Sequence, residues 1–307
     1  MPEGPEVPYH PGNLRVAVLG PGGIGGLLAA LLARAGNSVQ VLAGEGTSRL
    51  INQRGLRVES RLFGDFEVSV RAAIRLETPV DVCLVTVKNT QLAEALTRLP
   101  VDVVGGALVV PFLNGIDHVD LLRAVFPPSG VAAATLRVET ARVEPGVIRQ
   151  SSPFASAEIA ASPVNQVRVE RFAAQLRAAG LEVRVRADET AMLWDKLSFL
   201  APLALLTTHE RANAAVIRTR RREDTLAVIS EVAAVAAAEG VAIDPAAVAR
   251  FLDSVPEQME SSMQRDQAAG RPLELDAIGA AVVRRAARAG IAVPVTERLV
   301  SELRDRA

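Results

Sequence analysis

LRVAVLGPGGIGGLLAALLARAG, residues 14–36, decides the fold. Its first seven residues, Leu14 to Gly20, form an apolar run of strand length. Glycines then interrupt the run, apolar residues recur at helical spacing, and Gly36 closes the helix as the residue just past its end. Gly20, Gly22 and Gly25 satisfy G-x-G-x-x-G directly between strand and helix. In that pattern the first glycine permits a tight turn and the second lets the backbone approach a pyrophosphate. The third allows helix and strand to pack closely, while the helix N-terminus offers N–H groups and partial positive charge. A glycine-rich strand–helix turn without a ligand has the same letters, so the context must decide between the two readings.

The context extends outward from this stretch. SVQVLA (38–43) reads as a second strand, and GLRVES and FEVSVRA as a hairpin pair around Gly64. DVCLVTVK (81–88) and ALVVPFLNG (107–115) read as buried strands, each followed by a helix, the first from Thr90. Strands alternating with helices predict a doubly wound parallel sheet. From Ala187 onward the composition becomes that of long helices, as in Thr225 to Glu239 and Leu273 to Ala289. Pro272 near the start of the latter, Gly290 at its end and Pro294 beyond it are its punctuation. The expected architecture is an α/β Rossmann-type N-terminal domain over 13–186 and an all-α C-terminal domain over 187–307. Residues 1–12, with four prolines and no apolar core, read as a disordered tail and lack the features of a signal or transit peptide.

Composition narrows the function. A length of 307 residues suits two domains, and 49% hydrophobic residues supply both cores. A net charge of −1 gives no basic excess for nucleic acid. The most apolar stretch, Leu197 to Thr208, is too short to span a bilayer, and the cytoplasm is the expected compartment. Cys83 is the only cysteine, which excludes an internal disulfide and a cysteine-based zinc cage, and no metal is expected. Tyr9, the only tyrosine, lies in the tail, so a tyrosine-based reductase mechanism is excluded. His118 and His209 read as structural or exposed, without the partners of a His–Asp mechanism. Of the 34 basic residues, all but Lys88 and Lys196 are arginine. Arginine is effectively never deprotonated, whereas lysine is compact and can give up a proton. Coding bias accounts for the abundance of arginine, and by themselves the two lysines fit chance survivors of that bias as well as positions where chemistry keeps a residue able to lose a proton.

After the second strand, an acidic residue commonly binds the adenosine ribose of NAD, and an arginine the 2′-phosphate of NADP. Here Gly44, Glu45 and Gly46 follow the strand, with Arg49 on the next segment. Glu45 fits a ribose contact and an exposed turn residue equally well.

Several blocks together resemble the ketopantoate reductase family: LVTVKNTQ (84–91), LNG (113–115), MLWDKL (192–197), SSMQRD (261–266) and RPLELDAIGAAVVRRAARAGIAVP (271–294). Their order holds across nearly all of residues 14–300. The resemblance implies a Rossmann domain joined to a helical domain of the 6-phosphogluconate-dehydrogenase-like kind, with the active site in the cleft between them. It implies NAD(P)H-dependent reduction of a 2-oxo acid, 2-dehydropantoate to pantoate in the pathway to pantothenate, with NADP as cofactor and NAD as the alternative. The expected partner is that small-molecule acid, and a homodimer is the candidate assembly. By position, Lys196 matches the lysine that protonates the substrate carbonyl, and Glu274 the active-site glutamate. Ser262 matches a substrate-binding serine, Asn114 an asparagine between cofactor and substrate, and Lys88 a lysine beside the nicotinamide.

Two positions depart from the family pattern. Leu200 and Ala204 stand where asparagines are expected, which points to a less polar substrate or to binding through neighbours such as Thr207 and Thr208. Gly44 stands where the family commonly has its phosphate-reading arginine. Intact Lys88, Asn114, Lys196, Ser262 and Glu274 favour an enzyme. The lost amides and arginine favour the alternative, a paralogue that binds dinucleotide and acts on a less polar oxo acid or as a redox-sensing or binding protein.

Overall fold

The computed structural model describes residues 12–306, so Tyr9 and most of the proposed tail lie outside the described residues. The chain divides into two compact units. The first takes the described residues up to Leu113 and then Val119–Glu189, and the second takes Thr190 onward together with Asn114–His118. A five-residue segment from within the N-terminal half thus packs with the C-terminal helices.

In the first unit the leading stretch folds as β1 (Arg15–Leu19) and α1 (Gly23–Arg34), followed by β2 (Ser38–Leu42) and α2 (Glu45–Arg54). β3 (Leu56–Ser60) and β4 (Phe66–Val68) pair antiparallel, and β5 (Arg71–Ala73) returns beside β2. β6 (Val82–Val85), the short helices α3 (Leu92–Leu96) and α4 (Val101–Val104), β7 (Leu108–Pro111) and α5 (His118–Val125, its first residue belonging to the second unit) complete the Rossmann pattern. The five-stranded sheet runs β5-β2-β1-β6-β7 with every pairing parallel. β6 and β7 are buried along their whole length, as strands covered on both faces must be.

The remainder of the unit holds strands that the apolar pattern does not announce: β8 (Ala134–Arg137), β9 (Thr140–Glu144), β10 (Val147–Gln150), β11 (Ser156–Ala160) and, after α6 (Gln166–Ala178), β12 (Glu182–Arg186). They build a four-stranded sheet, β4-β3-β10-β9, and a three-stranded one, β12-β11-β8. The four-stranded sheet lies on α1. A Cβ on Gly26 would come within 2.5 Å of the Ile148 side chain, so that glycine outside the dinucleotide pattern is fixed by packing. Cys83 is fully buried, and burial pushes its thiol up to about 12, so it is an inert core group.

The second unit is helical: α7 (Glu189–Glu210, its first residue belonging to the first unit), α8 (Ala214–Thr219), α9 (Arg222–Ala238), α10 (Pro245–Ser254), α11 (Ser262–Ala268), α12 (Leu275–Ala289) and α13 (Pro294–Asp305). α12 ends as its sequence predicts, with Gly290 in the left-handed conformation (φ 67°). α7 is buried through most of its length and carries Pro202 inside it. No helix among the described residues is long and apolar enough to cross a membrane.

Candidate functional site

In the Rossmann unit the glycine turn is built by close approach. Gly20 (φ +87°) receives β1, and its N–H donates to the Leu42 carbonyl at 3.0 Å. A Cβ on Gly25 would lie 2.2 Å from the Gly20 oxygen and 2.3 Å from Thr86 Oγ1, so no side chain fits. The Thr86 hydroxyl, just past β6, shares its proton between the Leu19 and Gly20 carbonyls at 2.8 and 2.9 Å. Gly22 plays a different part. It is the N-cap of α1, makes no side-chain cap, and a Cβ there would meet nothing within 4 Å. The helix N-terminus therefore presents bare N–H groups on an open face, which fits the pyrophosphate of a nicotinamide dinucleotide.

Around the end of β2, Gly44 caps α2 in extended conformation and Glu45 is its first residue. Arg49 Nη2 lies 3.2 Å from Glu45 Oε1 across one helical turn, both side chains well exposed. Such a pair is weak and gives way to a stronger anion. A second cation, missed in the sequence, stands nearby. Arg98 Nη1 donates to the carbonyls of Ala43 and Ile74 at 3.0 and 3.1 Å, which commits it to bracing the end of β2. Lys88 follows β6, half-buried, as the residue that opens a single 3₁₀ turn.

In the helical unit, the segment 114–118 reaches Glu274 through its first residue and comes near Lys196 at its last. Asn114 Nδ2 donates to Glu274 Oε2 at 3.2 Å. Glu274 is buried and sits at the N-cap of α12, yet its side chain does not cap the helix. Gly115 (φ +83°) lets the segment touch α12, since a Cβ there would lie 2.1 Å from the Ala277 carbonyl. Asp117 accepts from Arg284 Nη2 and Arg285 Nη2, each at 2.8 Å. Burial raises its carboxyl, but those two arginines outweigh burial and hold it below the ordinary value.

His118 ends the segment. Only 1% exposed, it has no hydrogen-bond partner at either ring nitrogen. Burial, with the charge of nearby Lys196, pushes it down to about 3, so the imidazole is neutral. The reading of His118 and His209 as structural or exposed resolves to burial for both. His209 is also buried, with its Nδ1 2.8 Å from Glu210 and its Nε2 2.5 Å from Glu302.

Lys196 is half-buried on α7, two residues beyond Trp194, which is 1% exposed and donates from Nε1 to Glu239 at 2.8 Å. The two serines of SSMQRD separate. Ser261 is buried as the N-cap of α11, accepting from Gln264 N and from the Thr207 hydroxyl. Ser262, the first residue of α11, is half-buried. Gly270 (φ +63°) and Pro272 break the chain before α12, and Asp266, buried on α11, pairs with Arg271 at 2.9 Å. Thr207 and Thr208, suggested as replacements for the missing amides, lie in the interior of the helical unit. Both are fully buried, Thr207 is spent on Leu203 and Ser261, and Thr208 has no partner. Ala204 is fully buried too, leaving Leu200 as the half-buried substitution.

The fold agrees with comparisons to known proteins. Residues 16–163 match the model of "Ketopantoate reductase PanE/ApbA", and residues 188–307 that of its C-terminal domain. A 2-dehydropantoate 2-reductase of Mycobacterium tuberculosis is 32% identical over 93% of this chain and 95% of its own. One of Halobacterium salinarum is 30% identical over 95% and 98%. Among solved structures, the 2-dehydropantoate 2-reductase of Geobacter metallireducens superposes with a TM-score of 0.87 at 28% identity, covering 96% of this chain and all of that one. D-mandelate dehydrogenase in complex with NADH and anilino(oxo)acetate shares the fold, with a TM-score of 0.87 at 21% identity over 94% and 96% of the two chains.

Proposed function

The chain is an oxidoreductase of the ketopantoate reductase family, and on that premise we propose that it reduces a 2-oxo acid, 2-dehydropantoate to pantoate, with Lys196 as general acid. The observation that carries the proposal is the convergence on one short segment. Asn114 reaches Glu274, and His118, four residues on, stands in the field of Lys196.

A bound reduced dinucleotide would supply the hydride that the carbonyl carbon takes up. Gly20, Gly22 and Gly25 would hold its pyrophosphate on the N-terminus of α1, and Lys88 would serve its nicotinamide end. Lys196 acts at the carbonyl oxygen. Its ammonium polarises the C=O bond, then donates a proton as negative charge develops there. Glu274, oriented by Asn114, contacts the substrate, and Ser262 contributes a hydroxyl to its binding. A neutral His118 serves this arrangement because a second positive charge beside Lys196 would favour loss of the lysine's proton before the substrate needs it.

NADP is the cofactor the family suggests, read by Arg49 once it leaves Glu45; NAD is the alternative favoured by Gly44 and Glu45. Leu200, replacing a family amide, favours a substrate less polar than 2-dehydropantoate as the second reading. The protein acts as a cytoplasmic enzyme on small molecules, with a homodimer as its candidate assembly.

The test is turnover with a panel of 2-oxo acids and each reduced nicotinamide, for the parent, Lys196→Ala and Lys196→Arg. Loss of acid catalysis should cost about two orders of magnitude or more in kcat in the alanine variant. Arginine should not rescue it, because a guanidinium does not give up its proton. Near-parental turnover in Lys196→Arg rules out Lys196 as the acid.

A further inference from the structure

Beyond the residues that touch substrate or cofactor, the helical unit holds a connected set of charges centred on Arg285. Its Nε and Nη2 reach Asp117 Oδ1 at 3.2 and 2.8 Å, and its Nη1 reaches Glu239 Oε1 at 2.6 Å. The other oxygen of Glu239 accepts from Trp194 Nε1 at 2.8 Å. The other oxygen of Asp117 accepts from Arg284 Nη2 at 2.8 Å. One guanidinium thus ties the 114–118 segment, α12, the end of α9 and α7 together.

Local preference does not explain this set. Glu239 stands at the C-cap of α9, followed by Gly240 (φ +81°). A carboxylate at a helix C-terminus is opposed by the helix dipole. What holds it there is the pair of donors from α7 and α12.

We infer that Glu239 and Asp117 are positioning residues for the reaction, acting through Trp194 on Lys196 and through the 114–118 segment on Asn114 and Glu274. At roughly 100° per residue, Lys196 points about 200° around α7 from Trp194. Fixing the buried indole to Glu239 therefore fixes the rotation of α7, and with it the direction of the ammonium on the far side. On α12, Arg285 follows Glu274 by about three turns and shares its face. Asp117 on Arg285 and Asn114 on Glu274 are thus two fastenings of one segment along one face of one helix. A small rotation of α7 or slippage of the segment displaces a reacting group, and a misplacement of about 1 Å can cost on the order of 100-fold in rate.

The inference rests on the reading of Lys196 as the acid, and the experiment separates the two. Steady-state kinetics are measured for Glu239→Leu, Glu239→Gln, Asp117→Leu, Asp117→Asn, Trp194→Phe and Lys196→Ala, with Tm alongside. Glu239→Leu and Asp117→Leu should lower kcat about tenfold or more while KM for the reduced nicotinamide stays within about twofold, since its glycine turn lies in the other unit. Glu239→Gln and Asp117→Asn, which keep an acceptor oxygen, should recover much of the loss. Trp194→Phe keeps an aromatic side chain in the core and removes the donor together with part of the indole's volume, so its kcat is read beside its Tm, and it carries the test if Glu239→Leu fails to fold. It should lower kcat as Glu239→Leu does. Parental kcat in Trp194→Phe and Glu239→Leu beside an inactive Lys196→Ala overturns the positioning role alone. Equal losses in the leucine and amide variants, tracking Tm, overturn it as mere structural damage. Activity retained in Lys196→Ala overturns the reading beneath it.

Discussion

Replacing His118 with leucine should flatten the acid limb of this protein's stability curve. The imidazole is 1% exposed with both nitrogens unpartnered, and burial beside Lys196 lowers it from 6.5 to about 3. Between those two values the unfolded chain binds a proton that the folded chain refuses. Stability from this group is therefore intact above the unfolded value and falls as pH drops toward the folded one. At about 1.4 kcal/mol per pH unit, the linkage reaches about 2 kcal/mol near pH 5 and is close to zero near pH 7.5. Carboxylates also titrate over that range, so the quantity to measure is the difference between parent and His118→Leu. Trp194, the only tryptophan and buried in the helical unit, supplies the signal for urea unfolding of that unit. From about pH 7.5 to about pH 5 the parent should lose about 2 kcal/mol more than the variant, seen as a lower denaturation midpoint at constant slope. Equal losses in both proteins would mean that the imidazole is protonated in the fold, refuting the argument that burial and Lys196 keep it neutral.

Three glycines give further expectations. Gly25→Ala would drive a Cβ to 2.2 Å from the Gly20 oxygen, so reduced-dinucleotide affinity, followed by nicotinamide fluorescence, should fall about tenfold or more as the turn distorts. Unchanged affinity would place the pyrophosphate elsewhere. Gly115→Ala strains a φ of +83° and collides with the Ala277 carbonyl; kcat should fall with dinucleotide affinity intact, and parental kcat would detach the 114–118 segment from the chemistry. Gly44, by contrast, has a φ of −65° and nothing within 4 Å of a Cβ. Gly44→Arg should fold normally and raise kcat/KM for NADPH relative to NADH by about tenfold through a charge-assisted contact to the 2′-phosphate. A ratio that does not move, measured at one ionic strength, would show that the phosphate is read away from α2.

In the parallel sheet β1, β2, β6 and β7 were legible because they are buried on both faces or set beside a glycine turn, which leaves a mark in the letters. β5, short and partly exposed, reads as the end of the FEVSVRA hairpin strand, of which only β4 pairs with β3 while β5 joins β2. The later strands leave no such mark. β9, TARVE, is exposed along almost all its length, and β12, EVRVR, alternates valine with charge. Such segments take strand structure from the neighbours that pair with them, β10 for the first and β11 for the second. The assignment of 114–118 to the helical unit is equally invisible. LNG reads as the close of a strand, and only contacts to α12, remote in sequence, show where the turn belongs.

For the candidate site, the same distinction falls between kinds of cation. Lys88 and Lys196 stood out because arginine supplies the other side-chain basic charges, whereas Arg284 and Arg285 in VVRRAARAG are two among many arginines and carry no such mark. The structure gives Arg285 a task that an ammonium at the end of a flexible stem performs poorly: bridging Asp117 and Glu239, with two of its nitrogens on the first and the third on the second. A rigid planar fork spans two carboxylates at once and stays charged when half-buried. The reaction proposed at Lys196 asks for the opposite properties, a compact cation able to release a proton. Coding bias explains how many arginines the chain has; the geometry explains why the bridging position needs one, and why the proposed proton donor cannot be one.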